Sequence, residues 1–209
     1  MSDKELVIIG CGGHGRTVLD VVLDNDPEAR VSFVDDHAEP GEIIETVNPG
    51  RVFEISRQLE PNSNQEFFVA IGNNLHRREV TNTLGELSLA TIIAKDATIG
   101  IDAKIAAGAF IGHLAVVGPF AKVGRGALIN TRSHISHESE VGNFSQLTLD
   151  VTVGGRAIIG SNVYVGMRAC IFDGKKISDD IKVGAGSIVT RDLEKPGTYI
   201  GVPARLVRK

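Results

Sequence analysis

Residues 99–129 read IGIDAKIAAGAFIGHLAVVGPFAKVGRGALI, with an aliphatic residue at every sixth position. A period of six fits neither an amphipathic helix nor an alternating strand, and it is typical of the hexapeptide repeats of a parallel β-helix. Three hexapeptides form one triangular coil of about 18 residues, so the aliphatic side chains should stack inside it. The pattern continues without a break through Ile93, Ile99, Ile105, Ile111, Val117, Val123, Ile129, Ile135, Val141, Leu147, Val153, Ile159, Val165, Ile171, Ile177, Val183 and Val189.

The N-terminal part has a different pattern. A short β-branched run at residues 6–9 is followed by the glycine motif Gly10-x-Gly12-x-x-Gly15 and then by helical spacing at residues 16–23. A strand, a glycine turn and a helix open a βαβ unit. Further strands are predicted at residues 31–34 and 67–71, and helices at 52–59 and 75–87.

These patterns divide the chain into two parts. We predict a Rossmann-like α/β half domain over residues 1–85. A β-helix domain is predicted over residues 86–209.

The glycine motif indicates a phosphate site, because a helix start gathers backbone N–H groups. Asp35, about 20 residues further on, can meet a ribose hydroxyl, so the motif alone suggests a dinucleotide such as NAD. Half a Rossmann fold suits a mononucleotide ligand better, and a glycine turn that only packs is the remaining alternative. His14 within the turn can donate a hydrogen bond to a phosphate or to a sugar substituent.

A histidine follows the inward-facing Ile135 by two positions, where a β-helix turns a corner. This residue, His137, should be exposed beside Glu138, which gives a base next to a carboxylate that could orient it. His134 should point outward from the same coil and competes for the role of base. A solvated surface pair is the plainer interpretation of His137 and Glu138.

Composition excludes several classes of function. The chain has 209 residues and a net charge of −4 with both signs interspersed, so no basic face indicates nucleic acid or an anionic membrane. No apolar run approaches the roughly 20 residues of a membrane span. Cys11 and Cys170 are far apart and lack metal-ligand spacing, so we expect a reduced cytoplasmic setting and no metal.

The motifs together resemble one family. The chain is similar to hexapeptide-repeat acetyltransferases of the branch that contains sialic-acid O-acetyltransferase-like proteins and the UDP-4-amino-sugar N-acetyltransferases of the bacillosamine pathway. The resemblance is carried by the hexapeptides, the glycine motif with His14, Asp35-Asp36, Ile71-Gly72-Asn73, Ile129-Asn130-Thr131, His137-Glu138 and Gly201-Val202-Pro203-Ala204.

The resemblance implies a left-handed β-helix and a homotrimer, with acetyl-CoA bound between the β-helices of adjacent subunits. It makes His137 the general base and gives Glu138 the role of raising its basicity. The N-terminal domain should hold a nucleotide sugar, and the candidate binding residues are Gly12, Gly13, His14, Asp35, Asp36, Gly72 and Asn73.

One position departs from the family. The usual second histidine, which contacts the thioester, is Gln146 here, and glutamine can still donate a hydrogen bond to a carbonyl. Steps of 18 residues place Gly155 on the same edge as His137, and they place Met167 and Ala185 together on another edge. In the family, backbone groups at these places contact acetyl-CoA.

We therefore expect an acetyl-CoA-dependent N-acetyltransferase that acts on a nucleotide-linked 4-amino-deoxysugar. Acetylation of a sugar hydroxyl needs the same base and is the rival within enzymes. A sugar-nucleotide-binding protein that has lost the chemistry is the other rival, and Gln146 is its support. Apolar residues predicted to face outward from the β-helix also favour a trimer, because they need cover: Phe110, Phe120, Leu128 and Tyr164.

Overall fold

The computed structural model describes residues 4–47, 50–85 and 87–207. The chain divides into two compact units, Met1–Ile92 and Ile93–Lys209, which we call unit 1 and unit 2. Within the described ranges, the helices are all too short or too polar to cross a membrane.

Unit 1 is an α/β fold built on one mixed sheet with strand order β3-β4-β2-β1-β5. Its elements are β1 (Glu5–Ile9), α1 (Gly13–Asn25), β2 (Val31–Val34), β3 (Ile43–Val47), β4 (Gly50–Ser56), β5 (Gln65–Val69) and α2 (Asn74–Thr83). All neighbouring strands are parallel except β3 and β4, which form an antiparallel pair. The Rossmann-like α/β fold predicted for the N-terminal part is confirmed.

The predicted helix at residues 52–59 is wrong, because this segment contains most of strand β4. Phe53 and Ile55 are buried while Val52 and Glu54 are exposed, so the side chains alternate with the period of a strand. Pairing with β3 places Ile44 opposite Phe53.

The bounds of two other elements also differ. The third parallel strand that sequence predicted at 67–71 is β5, which ends at Val69. Helix α2 ends at Thr83 rather than at residue 87, and Gly85 has the left-handed φ of 58° that commonly follows a helix end.

Unit 2 is a left-handed parallel β-helix with three sides. Side 1 contains β7 (Thr98–Ile99), β10 (Val116–Val117), β13 (His134–Ile135), β16 (Thr152–Val153), β19 (Cys170–Ile171) and β22 (Ile188–Val189). Side 2 contains β8 (Lys104–Ile105), β11 (Lys122–Val123), β14 (Glu140–Val141), β17 (Ile158–Ile159) and β20 (Lys176–Ile177). Side 3 contains β6 (Ile92–Ile93), β9 (Phe110–Ile111), β12 (Leu128–Ile129), β15 (Gln146–Leu147), β18 (Tyr164–Val165), β21 (Ile181–Val183), β23 (Gly197–Ile200) and β24 (Arg205–Leu206).

The hexapeptide period sets the register of the coils. Ile129 pairs with Ile111 on one side and with Leu147 on the other, so neighbouring coils are offset by one 18-residue repeat. The aliphatic series is fully buried from Ile111 to Val189, as predicted. Ile99 is 39% exposed because it belongs to the first coil, which packs against coil residues on one side only.

Corner residues also repeat from coil to coil. Glu138 and Arg156 follow side 1 and have left-handed φ angles of 57° and 56°. Arg132, Asp150 and Arg168 follow side 3 with φ between 59° and 60°. We call these corner 1–2 and corner 3–1, and each stacks side chains that are 18 residues apart.

Candidate active site

The glycine turn of unit 1 is shaped by a close backbone approach. A Cβ atom on Gly15 would lie 2.1 Å from the carbonyl oxygen of Gly10, so only glycine allows α1 to start against the turn. Gly10 itself has a φ of 103°, a conformation that favours glycine. The motif therefore brings the first turn of α1 to the carboxyl end of β1.

A cavity of about 680 Å³ opens at the carboxyl ends of β1, β2 and β5. Open α/β sheets bind ligands at this edge. Six of the seven residues predicted to bind the nucleotide sugar line the cavity: Gly12, Gly13, His14, Asp35, Asp36 and Gly72.

Asn73 is the exception. It is the N-cap of α2, where its side chain accepts a hydrogen bond from the backbone N–H of His76 at 3.0 Å.

The two aspartates of the cavity differ in their surroundings. Asp35 accepts hydrogen bonds from the backbone N–H groups of Cys11 at 2.9 Å and His37 at 3.0 Å. Burial raises the pKa of Asp35, but these hydrogen bonds outweigh burial and leave the pKa below its usual value. Asp36 is exposed and lies 2.6 Å from Nδ1 of His37. Asp35 thus holds the glycine turn, while Asp36 faces solvent at the cavity.

His14 lies in a position that disfavours positive charge. Burial, together with the nearby cation Arg77, lowers the pKa of His14 to about 4. Its ring also packs edge-on against Phe68. At neutral pH this imidazole is uncharged, so it can offer a ligand a hydrogen bond but no full positive charge.

Arg77 is a functional candidate that sequence reasoning missed. It is fully buried and donates hydrogen bonds to the carbonyl oxygens of Ile71 at 2.8 Å and Gly72 at 3.3 Å. Its guanidinium also donates to Asn74 Oδ1 at 2.9 Å, and burial lowers its pKa to about 10. Arg77 therefore fixes the loop after β5 that lines the cavity.

Three basic residues of the cavity were not among the predicted site residues. Arg57, His37 and His76 line it, although His76 reads from sequence as a structural or surface residue. Ligand atoms of Asp35, Asp36 and His37 lie within 4.8 Å of one another, a spacing that could hold a cation. Both carboxylates lie near Nδ1 of His37, and Asp35 also accepts from the backbone N–H groups of Cys11 and His37.

The candidate base lies at corner 1–2 of unit 2. His137 Nδ1 is 3.1 Å from Glu138 Oε2, and the two side chains are 46% and 53% exposed. The backbone N–H of Glu138 donates to the carbonyl of Pro119 at 2.9 Å. The coil ladder therefore fixes the backbone of this corner, and the contact of Glu138 with Nδ1 leaves Nε2 available to a substrate.

Gly155 lies against the face of that imidazole. A Cβ atom at this position would be 2.5 Å from His137 Nε2 and 2.6 Å from Cε1. The sequence step of 18 residues correctly brings these two positions together. Because Gly155 has no side chain, the imidazole of His137 can pack against the backbone of the next coil.

The remaining predicted residues lie elsewhere on the β-helix. Met167 and Ala185 are exposed neighbours at corner 3–1, where Gly186 N–H donates to the Met167 carbonyl at 2.8 Å. Gln146 is on side 3, between Leu128 and Tyr164, and its buried Oε1 has no hydrogen-bond partner among the described residues. In a triangular coil, side 3 is opposite corner 1–2, so one chain does not bring Gln146 to His137.

The other histidines of unit 2 differ from His137. His134 is exposed on side 1, as expected. His113 Nδ1 is 3.0 Å from Asp96 Oδ1, which is a contact within the first coils. Two of the apolar residues expected to need cover, Phe110 and Leu128, are already buried in this chain, whereas Phe120 and Tyr164 are exposed.

Comparison with known proteins covers both units. The family profile described as the PglD N-terminal domain matches residues 5–84. The acetyltransferase domain of PglB from Neisseria gonorrhoeae is 25% identical with a TM-score of 0.87, over 98% of this chain and 100% of that one. Its complex with acetyl coenzyme A gives 23% identity and a TM-score of 0.64, over 99% and 100% of the two chains.

Two further relatives extend the comparison. PerB from Caulobacter crescentus, solved with CoA and GDP-perosamine, is 28% identical with a TM-score of 0.75, over 98% of this chain and 97% of that one. An uncharacterised protein of Acanthamoeba polyphaga mimivirus is 28% identical over 140 residues, which are 66% of this chain and 24% of that protein. This chain thus spans about a quarter of the length of that curated relative. The N-terminal part thus matches the PglD N-terminal domain, and the whole chain, with its hexapeptide β-helix, is similar to the PglB acetyltransferase domain and to PerB.

Proposed function

We propose that this protein transfers the acetyl group of acetyl-CoA to the amine of a nucleotide-linked 4-amino-deoxysugar, with His137 as the general base. The observation that carries the proposal is the arrangement at corner 1–2, where Glu138 contacts Nδ1 and Nε2 is left over Gly155. The CoA and GDP-perosamine complex of PerB and the acetyl coenzyme A complex of the PglB domain support the same two substrates here.

The reaction needs a neutral amine, because an ammonium group has no lone pair to attack with. The amine nitrogen attacks the thioester carbonyl carbon and forms the C–N bond, and His137 Nε2 takes the proton that this nitrogen loses. The tetrahedral intermediate then collapses, the C–S bond breaks, and CoA leaves as a thiolate that takes up a proton. Gln146 or backbone N–H groups stabilise the oxyanion.

The cavity of unit 1 is the proposed nucleotide-sugar site. The start of α1 at Gly12 and Gly13 supplies N–H groups for the diphosphate, and neutral His14 adds a directional hydrogen bond. Asp36 is exposed at the same cavity and can accept hydrogen bonds from sugar or ribose hydroxyls.

We also propose that the active protein is a homotrimer. Gln146 and His137 belong to opposite parts of one β-helix, so a shared site needs Gln146 of the partner subunit. The buried amide oxygen of Gln146 has no hydrogen-bond partner in the described part of the chain, and Phe120, Tyr164 and Met167 are exposed apolar residues; both observations support such an interface. We place the protein in the cytoplasm, since both Cys11 and Cys170 are free thiols.

Product analysis tests the proposed reaction. The protein is incubated with acetyl-CoA and a panel of UDP-, GDP- and dTDP-linked 4-amino sugars, and free CoA is followed by its thiol. We expect one acetyl group on the product that survives mild base, as an amide does. An acetyl group removed by mild base would indicate O-acetylation, and binding of the nucleotide sugar without CoA release would indicate a binding protein.

Complementation tests the trimer. Mixed assemblies refolded from His137→Ala and Gln146→Ala chains should show more activity than either variant alone, because one shared site then contains both native residues. A monomeric mass in light scattering at micromolar concentration would contradict the shared site.

A further inference from the structure

A charged residue lies beside the proposed base in the next coil. Arg156 follows Glu138 by one coil at corner 1–2, and its Nη1 is 3.7 Å from Glu138 Oε2. This is the same oxygen that lies 3.1 Å from His137 Nδ1. One carboxylate oxygen therefore lies between the imidazole and a guanidinium.

We propose that Arg156 is a positioning residue, which holds the Glu138 carboxylate against Nδ1 of His137 and so keeps Nε2 free to accept a proton. The inference rests on the proposed function of His137 as base. It assigns Arg156 no contact with either substrate.

The tautomer of His137 explains why the position of Glu138 matters. A neutral imidazole carries its proton on Nδ1 or on Nε2, and only the Nδ1–H form has a lone pair on Nε2. A carboxylate that accepts from Nδ1–H selects this form. Glu138 is about half exposed, so without a second partner its side chain is free to rotate into water.

The backbone also fixes Arg156 next to His137. The N–H of Arg156 donates to the carbonyl oxygen of His137 at 3.0 Å, and Ser139 Oγ donates to the carbonyl of Gly154 at 2.8 Å. These contacts hold the two corner turns in one register. Because Arg156 and Glu138 share the same left-handed corner conformation, their side chains leave the β-helix side by side.

The effect should be modest, because both partners of the ion pair are more than half exposed. Exposed ion pairs of this kind shift an equilibrium by about two- to fivefold. We therefore expect Arg156→Gln to lower kcat by about two- to fivefold and to leave KM for both substrates unchanged. Arg156→Lys, which keeps the charge, should recover most of kcat.

The test combines kinetics with ¹⁵N NMR of the His137 imidazole in the full-length protein, assigned by loss of its signals in His137→Ala. We expect Nδ1 to show the shift of a protonated nitrogen and Nε2 that of an unprotonated one, and Arg156→Gln to move both towards the Nε2–H form. Arg132→Gln is the matched control, since it breaks a corner ion pair of 2.8 Å with Asp150 that does not involve Glu138.

Several results would overturn the inference. A raised KM with unchanged kcat in Arg156→Gln would make Arg156 an anion-binding residue. A larger share of the Nδ1–H form in Arg156→Gln would show that Arg156 competes with His137 for the carboxylate. Unchanged kinetics and spectra in this variant would show that Arg156 and Glu138 form only a surface ion pair. If the native protein acetylates no amino sugar but the tautomer still shifts, the proposed function fails and the positioning role stands.

Discussion

Replacing Gly155 with alanine adds a single methyl group in front of the proposed base. The new Cβ atom would lie 2.5 Å from His137 Nε2 and 2.6 Å from Cε1, whereas ordinary contacts begin at 3.4 Å. The imidazole must therefore move by about 1 Å to reach an ordinary van der Waals separation. The backbone of Gly155 is outside the left-handed region, so alanine adds no backbone strain there.

A displacement of this size at a reacting group costs about 10²-fold in rate. We expect Gly155→Ala to lower kcat by about that factor. Stability should change by no more than about 0.5 kcal/mol, because the imidazole is partly exposed and has room to swing outward.

Steady-state release of CoA, measured with saturating nucleotide-linked amino sugar, gives kcat and KM for acetyl-CoA. Gly50→Ala is the matched control, since among the described residues its added Cβ would meet only the Val47 carbonyl oxygen, at 3.7 Å. A native kcat in Gly155→Ala would refute the argument that the imidazole works from this position. A raised KM with native kcat would show that Gly155 serves the cofactor and not the base.

Further predictions concern the stability of unit 1. Burial and the nearby Arg77 lower the pKa of His14 to about 4. Between pH 6.5 and 4 this imidazole is therefore protonated in the unfolded chain and neutral in the folded chain. His14 should therefore not change the free energy of unfolding above pH 6.5 but should lower it by up to about 3 kcal/mol between pH 6.5 and 4. Hydrogen exchange of the α1 and α2 amides measures this loss, which should be smaller in His14→Gln. Arg77→Met leaves the carbonyls of Ile71 and Gly72 without their donor, and the same exchange measurement should show a loss of about 3 kcal/mol. If His14→Gln showed the same pH dependence of hydrogen exchange as the native protein, the argument from the burial of His14 would be wrong. If Arg77→Met exchanged at the native rate, the contacts of Arg77 would not stabilise unit 1.

The architecture of unit 2 could be predicted from the sequence because every hexapeptide has the same structural requirement. One aliphatic residue must face inward in every strand, so the period alone fixes coil size and register. The same rule brought Gly155 to His137 and kept His137 beside Glu138. These contacts are short-range in a repeat, either adjacent in sequence or one coil apart.

The features of unit 1 that were not predicted depend on tertiary packing, which a local sequence pattern does not show. Arg77 is buried against the carbonyl oxygens of Ile71 and Gly72, and its position in the helix does not predict these partners. Asn73 fits a binding loop and a helix cap equally well in sequence, and the structure uses it as the cap. Strand β4 was predicted as a helix because its alternation is carried by only two buried residues, Phe53 and Ile55.

The central claim is that His137 takes the proton during acetyl transfer. A positioned general base contributes about 10²–10⁴-fold to the rate. The direct measurement is kcat for CoA release in His137→Ala and His134→Ala, with native protein as reference and the same nucleotide-linked amino sugar. We expect His137→Ala to lose about 10²–10⁴-fold with little change in KM for acetyl-CoA, and His134→Ala to remain near native. A near-native kcat in His137→Ala together with an inactive His134→Ala would contradict the account.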